Sequence, residues 1–510
     1  MNVVELKNIS KSFGNSLAND SIDLAVKRGE IHCLLGENGA GKTTLMKILF
    51  GLYSQDQGSI LINGEEVEIK SPRQAIELGL GMIHQHFMLV GRLTVTENII
   101  AGREPRRGIL IDYAEGMRQV KELTATYQLS VNPGARVEDI SIGEQQRVEI
   151  LKALYRQAEI LILDEPTAVL TPQETGELFA VLKKLKESGK TIIFITHKLK
   201  ETMAISDRVT ILRDGKKVAT IATSATSPTE LARLMVGREV ILRVKKAAAM
   251  VGKTVLQADH LTYYHKKNNR QLEQLSFVIK AGEILGVAGV EGNGQQELEE
   301  LITGLSRNSQ GKIFFKGKDI SSWSIRERRY AGIGHIPSDR LKRGLIPDFN
   351  LEKNLILGSE WQQPYARKGF LDYKVIRENS KVIIERFRIK TSGSQALVQD
   401  LSGGNQQKVI IGRELRREPE LIVAAQPTRG VDVGAIEYIH KLLLKMREEG
   451  KGVLLISAEL DELLSLSDRL IVLYEGRIVA SGNTVDFTEA ELGLLMAGQG
   501  RGGVKNGPTE

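Results

Sequence analysis

The tightest constraint on this chain is one stretch, Gly36-Glu37-Asn38-Gly39-Ala40-Gly41-Lys42-Thr43-Thr44. An apolar run precedes it (Ile31, Cys33, Leu34, Leu35). Apolar residues at helical spacing follow it (Leu45, Met46, Ile48, Leu49, Leu52). Strand, glycine loop and helix in that order are the context of a phosphate-binding P-loop. Glycines let the backbone close around phosphates, since no side chain blocks the approach and positive φ is open to them. Backbone N–H groups then converge at a helix N-terminus, which favours anions. In this reading Lys42 reaches the β- and γ-phosphates and Thr43 offers its hydroxyl to Mg²⁺.

A second signal lies at Ile160-Leu161-Ile162-Leu163-Asp164-Glu165-Pro166-Thr167. Four apolar residues predict a buried strand, with two carboxylates at its C-terminal end, where open α/β sheets place ligands. Asp164 suits Mg²⁺, and Glu165 suits positioning or deprotonation of an attacking water. Thr191 to Thr196 reads as another buried strand, with His197 at its tip. Gln85 ends a further short strand. Ser141 stands near the start of a helix running into Glu144, Gln145 and Arg147. Thr171, Pro172 and Glu174 read as a capping box. Val3 to Lys27 reads as strands and turns, broken at Gly14, Asn15, Asn19 and Asp20. Phe13 is placed to stack on an adenine or to pack in the core. Gly58 to Ile69 reads as a hairpin turning at Asn63-Gly64. Leu93 to about Gln128 reads as helical and charged.

The 510 residues exceed one core and suit two domains. The net charge of +7 is spread without a long basic block, so a solvated surface and no nucleic-acid partner are expected, with a bias towards an anionic membrane face or nucleic acid as the alternative. Cys33 is the sole cysteine, which excludes internal disulfides and favours a reducing compartment. No signal-peptide pattern opens the sequence, and no apolar run approaches the roughly 20 residues of a membrane helix.

The sequence also repeats. Gly36 corresponds to Gly289 at an offset of 253, and Ser141 corresponds to Ser402 and Asp207 to Asp468 at 261. Leu234-Met235-Val236-Gly237 returns as Leu495-Met496-Ala497-Gly498. The offset change places a net eight extra residues in the second copy, between its Gln85-equivalent and its Ser141-equivalent. The ordered set resembles the Walker A, Q-loop, signature, Walker B and H-loop motifs of ATP-binding-cassette ATPases. That resemblance implies an α/β fold of two tandem P-loop cassettes. Each would have a RecA-like core, an antiparallel β subdomain and a helical subdomain. The expected layout is cassette 1 over 3–240, a linker over 241–254, cassette 2 over 255–500 and a disordered tail over 501–510. The fused pair ending in Leu-Met-x-Gly is similar to the ATPase subunits of bacterial sugar and nucleoside importers. Gln85-His86-Phe87-Met88-Leu89-Val90 and Ala424-Ala425-Gln426-Pro427-Thr428-Arg429-Gly430 resemble the nucleoside branch. A monosaccharide importer is the alternative. A soluble tandem-cassette factor on ribosomes or DNA is the more distant one, since the linker is short and there is one cysteine.

The two copies differ in kind. The second carries Gln295 and Gln296 at the Lys42 and Thr43 positions, Ser338 for Gln85, Ala425 and Gln426 for Asp164 and Glu165, and Ala458 for His197. Its signature Ser402-Gly403-Gly404-Asn405 and its Asp432 are intact. The first copy has Ile142 and Glu144 in its signature and Thr171 at the Asp432 position. Family members close head to tail, so the resemblance implies one hydrolytic and one degenerate composite site. ATP would lie on Phe13, Gly36 to Thr44 and Gln85, and on Ser402, Gly403, Gly404, Asn405 and Asp432 of the other half. Thr43, Gln85 and Asp164 would hold Mg²⁺, and Glu165 and His197 would be catalytic. It further implies two integral membrane permease subunits, an extracellular substrate-binding lipoprotein, and a peripheral position on the cytoplasmic face of the cell membrane.

Overall fold

The computed structural model describes all residues except 15, 85–86, 168–169, 171, 240–245, 248–249, 265–270, 291, 308 and 500–510, and omits the side chains of Pro172, Gln173, Gln271 and Ser309. The chain divides into two compact units, Met1–Val240 and Ile241–Glu510.

In the first unit, a six-stranded sheet runs in the order Lys216–Ala222, Arg208–Arg213, Ile31–Gly36, Thr191–Thr196, Ile160–Asp164 and Leu80–Ile83. Every pairing is parallel except that of the first two strands. Ile31–Gly36, Ile160–Asp164 and Thr191–Thr196 are buried at every residue, which is why they read as unbroken apolar runs. Their C-terminal ends lie in register on one edge, and the P-loop, Asp164 and His197 all leave from that edge. A four-stranded antiparallel sheet accompanies it, in the order Ser16–Lys27, Asn2–Phe13, Gln57–Ile62 and Glu65–Val67. Asn63 and Gly64 both take positive φ (54° and 89°) in the turn joining the last two strands. The third part is helical: Val95–Ile100, Tyr113–Tyr127 and Ile142–Tyr155 pack on one another.

Two expectations are revised. Asn19 and Asp20 do not break the early strand: Ser16–Lys27 runs through them, its pairing with Asn2–Phe13 displaced by bulges. The region from Leu93 onward is two helices separated by a small hairpin, Arg106–Arg107 with Leu110–Ile111. Thr171 lies outside the described residues, and its helix runs Pro172–Glu187.

The second unit repeats the plan. Its main sheet runs Ile333–Ile336, Leu421–Ala425, Gly452–Ser457, Ile284–Ala288, Arg469–Tyr474 and Arg477–Asn483. The net eight-residue excess has three sources. Between Ile83/Ile336 and Val95/Leu351 the offset grows from 253 to 256, across a π-helical turn at Arg340–Gly344. It reaches 260 at Tyr113/Tyr373 and 261 at Ile142/Gly403. Of the expected linker, the described end is tied to the second unit: Lys246 pairs with Asp468 at 3.2 Å, and the Ala247 carbonyl accepts from Arg447.

Candidate functional site

The P-loop helix Lys42–Leu49 is eight residues long, too short to persist by itself. Leu45, Met46, Ile48 and Leu49 are fully buried and anchor it, at about 1.5–3 kcal/mol per side chain. Gly41, at φ 92°, caps it without any side-chain bond, so its first N–H groups face the loop. A Cβ on Gly41 would stand 2.4 Å from the Ala18 carbonyl, so glycine is required there for closeness as well as for φ. Lys42 Nζ donates to the Gly36 and Glu37 carbonyls at 2.7 and 2.9 Å. Burial lowers its pKa against the opposing pull of Glu165 and Asp164.

Thr43 Oγ1 donates to Asp164 Oδ1 at 3.2 Å. Burial raises the Asp164 carboxyl above its ordinary value, with the Thr43 bond acting in the opposite sense. A hydroxyl beside a carboxylate is a donor set that fits Mg²⁺ completed by phosphate and water. Glu165 Oε1 lies 3.0 Å from His197 Nδ1. Burial pushes the Glu165 carboxyl up, but the His197 bond and charge, with Lys42, more than offset it, and it lies below its ordinary value. Glu165 sits at φ 47°, and its N–H donates to the Ile195 carbonyl at 3.1 Å. Thus Lys42, Thr43, Asp164, Glu165 and His197 gather in one unit. Gln85 lies outside the described residues. Phe13 is 45% exposed, its ring edge-on to Tyr53 at 5.2 Å, which removes core packing as its role.

One site residue was hidden by the reading of Asn19 as a strand breaker. Asn19 is fully buried, and its Nδ2 donates to the Gly41 carbonyl at 3.1 Å. A clue was present in the repeat: at an offset of 253 the second copy has Leu272 there.

In the second unit the same frame holds different groups. Gln295 Nε2 folds over Gly289, and its buried Oε1 has no hydrogen-bond partner. Gln426 keeps the left-handed backbone of Glu165, at φ 45°, and its N–H donates to the Ile456 carbonyl at 2.7 Å. Its Oε1 accepts from the Ala458 N–H at 3.4 Å, where the first unit has the carboxylate–imidazole pair.

The signature helices also differ physically. In the first unit Ser141 and Glu144 close a capping box, with bonds of 3.2 and 2.9 Å. A Cβ on Gly143 would lie 2.7 Å from Glu174 Oε1, so two carboxylates flank this helix start. In the second unit Ser402 makes no cap bond to the helix Gly403–Leu415. Its Oγ accepts from Asn405 Nδ2 at 2.9 Å, leaving the hydroxyl proton to donate elsewhere. The π-helical insertion sets Arg340 beside Gly403, donating to the Arg429 carbonyl at 2.9 Å. Asp432 caps the helix Val433–Glu448, accepting from the Ala435 N–H at 2.7 Å, and lies against Gly404.

The model of the ABC transporter family matches residues 19–168 and 272–429, one match in each half. The chain belongs to the ABC transporter family. Both halves are ABC ATPase cassettes, a domain type that binds ATP. The guanosine import ATP-binding protein of Bacillus subtilis is 51% identical over 99% of both chains. A nucleoside import ATP-binding protein of Lactococcus lactis is 47% identical, over 97% of this chain and 98% of the relative. A glucose import ATP-binding protein of Haloferax volcanii is 44% identical, over 98% and 96%. Among the described residues of the cassettes, no helix is long and apolar enough to cross a membrane.

Proposed function

We propose that this chain is the ATP-hydrolysing subunit of a nucleoside importer, with one hydrolytic and one degenerate composite site. The observation that carries the reaction is the Glu165–His197 pair at 3.0 Å, in the unit that also brings together Lys42, Thr43 and Asp164. The solute assignment rests on full-length similarity to guanosine and nucleoside import proteins.

In this reading the N–H groups at the start of Lys42–Leu49 and the Lys42 ammonium hold the phosphates, and Phe13 stacks on the base. Thr43, Asp164 and Gln85 would hold Mg²⁺, which would supply charge neutralisation to the phosphates. The lowered Glu165 carboxyl is ionised at neutral pH. It accepts a proton from the water whose oxygen forms the new bond to the γ-phosphorus as the bond to ADP breaks. His197 Nδ1 orients Glu165, and its Nε2 meets a γ-phosphate oxygen. Ser402, Gly403, Gly404, Asn405 and Asp432 complete this site from the second cassette, following the family's head-to-tail arrangement. The uncapped Ser402 helix supports this role, and the carboxylates at the Ser141 helix support the degenerate assignment of the other site. Two permease subunits, an extracellular binding lipoprotein and a position on the cytoplasmic face complete the proposal.

Uptake of labelled nucleosides, ribose and galactose, in cells lacking the gene and complemented with wild type or Glu165→Gln, tests it. Nucleoside uptake restored by wild type alone is the expected result. Restored sugar uptake overturns the solute, and uptake restored by Glu165→Gln overturns the base.

A further inference from the structure

Glu201 has no part in the scheme above, yet it is bonded to residues close in the chain to both members of the reacting pair. It lies in the first turn of the helix Leu199–Ile205 and is 7% exposed. Its two oxygens take hydroxyl protons from a loop and from a strand end. Thr167, three residues past Asp164, donates to Oε1 at 2.5 Å. Thr196, the residue before His197, donates to Oε2 at 2.7 Å. Thr196 Oγ1 in turn accepts the Lys198 N–H at 3.0 Å, and Lys198 Nζ stands 3.5 Å from the carboxylate. One buried carboxylate therefore ties the loop carrying Glu165 to the strand end that leads into His197.

The second copy is an internal comparison. Glu462 occupies the same place on the helix Leu460–Leu466, at the offset of 261. There it bonds His440 at 3.0 Å, and its other oxygen has no hydrogen-bond partner. Ser457, the counterpart of Thr196, accepts from the Glu459 N–H. The bridge between the two segments exists where the reactive pair exists and is replaced where Gln426 and Ala458 stand.

We infer that Glu201 is a positioning residue for ATP hydrolysis: it clamps the two segments so that Glu165 and His197 keep their mutual geometry. This rests on the assignment of Glu165 as base. Displacement of a reacting group by about 1 Å costs on the order of 100-fold in rate, so the clamp acts on turnover and not on the P-loop's hold on nucleotide.

The test uses purified full-length chain, with steady-state ATPase kinetics, ATP binding and thermal melting on each variant. Glu201→Ala is expected to lower kcat about 10- to 100-fold with KM changed less than about threefold. Glu201→Gln keeps one acceptor and gains a donor to the other hydroxyl, and should return kcat to within about threefold of wild type. Glu462→Ala, the same deletion in the other copy, should leave kcat within about twofold. Glu201→Ala added to Glu165→Gln should cost nothing further. If Glu201→Ala fails to fold, Thr196→Val against Thr196→Ser carries the test, with the loss expected in the valine variant alone. The inference is overturned if Glu201→Ala keeps its turnover, or if Glu462→Ala loses as much. Normal turnover in Glu165→Gln would overturn the base assignment separately.

Discussion

Replacing Asn19 with leucine, the residue the second copy carries at Leu272, should separate stability from nucleotide affinity. The space is already tested: a Cβ on Gly294 would meet the Leu272 side chain at 2.5 Å, just as one on Gly41 would meet Asn19 at 2.4 Å. The Gly41 carbonyl accepts from the Leu45 N–H at 2.9 Å as well as from Asn19 at 3.1 Å. Asn19→Leu therefore leaves that carbonyl bonded and removes one net hydrogen bond of about 0.5–1.5 kcal/mol. On the other side, Asn19 Oδ1 is buried without a partner, and deleting it relieves about 1–3 kcal/mol. Burying leucine adds about 1.5–3 kcal/mol. The balance for folding is favourable. For binding it is unfavourable, because the trans peptide sets the Lys42 N–H opposite the Gly41 carbonyl. Without Asn19 the loop spends less time with that N–H turned inward, and affinity falls by up to the worth of the bond, about two- to tenfold. Titration with ATP and a thermal melt on the same preparation measure both quantities. Wild-type affinity in the variant, or a loss of affinity matched by a lower melting temperature, would refute the reasoning.

Gln426→Glu restores one acid to the second copy but not the missing lysine, so the ATPase rate should change less than about 1.5-fold; a doubled steady-state rate would contradict this. Glu414 is buried at 2.9 Å from Arg413 and 3.1 Å from Arg329. Burial pushes its carboxyl up, but the two guanidinium charges more than offset that and hold it below the ordinary 4.5. A depressed carboxyl contributes stability above its unfolded pKa and loses it as pH falls toward the folded value. Glu414→Gln should thus cost about 3–5 kcal/mol at pH 7, with the deficit shrinking below about pH 5 in calorimetric melts.

The P-loop, Asp164-Glu165 and His197 were legible because buried parallel strands leave unbroken apolar runs, and polar residues at their ends stand out. The repeat was legible from offsets alone. Asn19 was not, since a polar residue inside an edge-sheet strand resembles a turn until its side chain is seen reaching the P-loop. Glu201 was hidden by its ordinariness, as an acid in the first turn of a helix needs no further reason. Glu144 in the first signature read as a loss, but it is also a gain: a carboxylate that seals its own helix end. The eight extra residues read only as a net total, because offsets report only totals between landmarks. A net three of them fall in the segment whose π-helical turn carries Arg340 to Gly403.

Gln426 holds the same left-handed backbone as Glu165, although its amide cannot serve as a base. Such a conformation at a non-glycine residue costs on the order of 1 kcal/mol or more. Its presence in both copies means that it is a property of how the sheet edge turns, and not tension stored for hydrolysis. The cassette is in this sense a bench with fixed vices. The turn fixes where a side chain of this length will stand, and whether the bench does any work depends on what is clamped there.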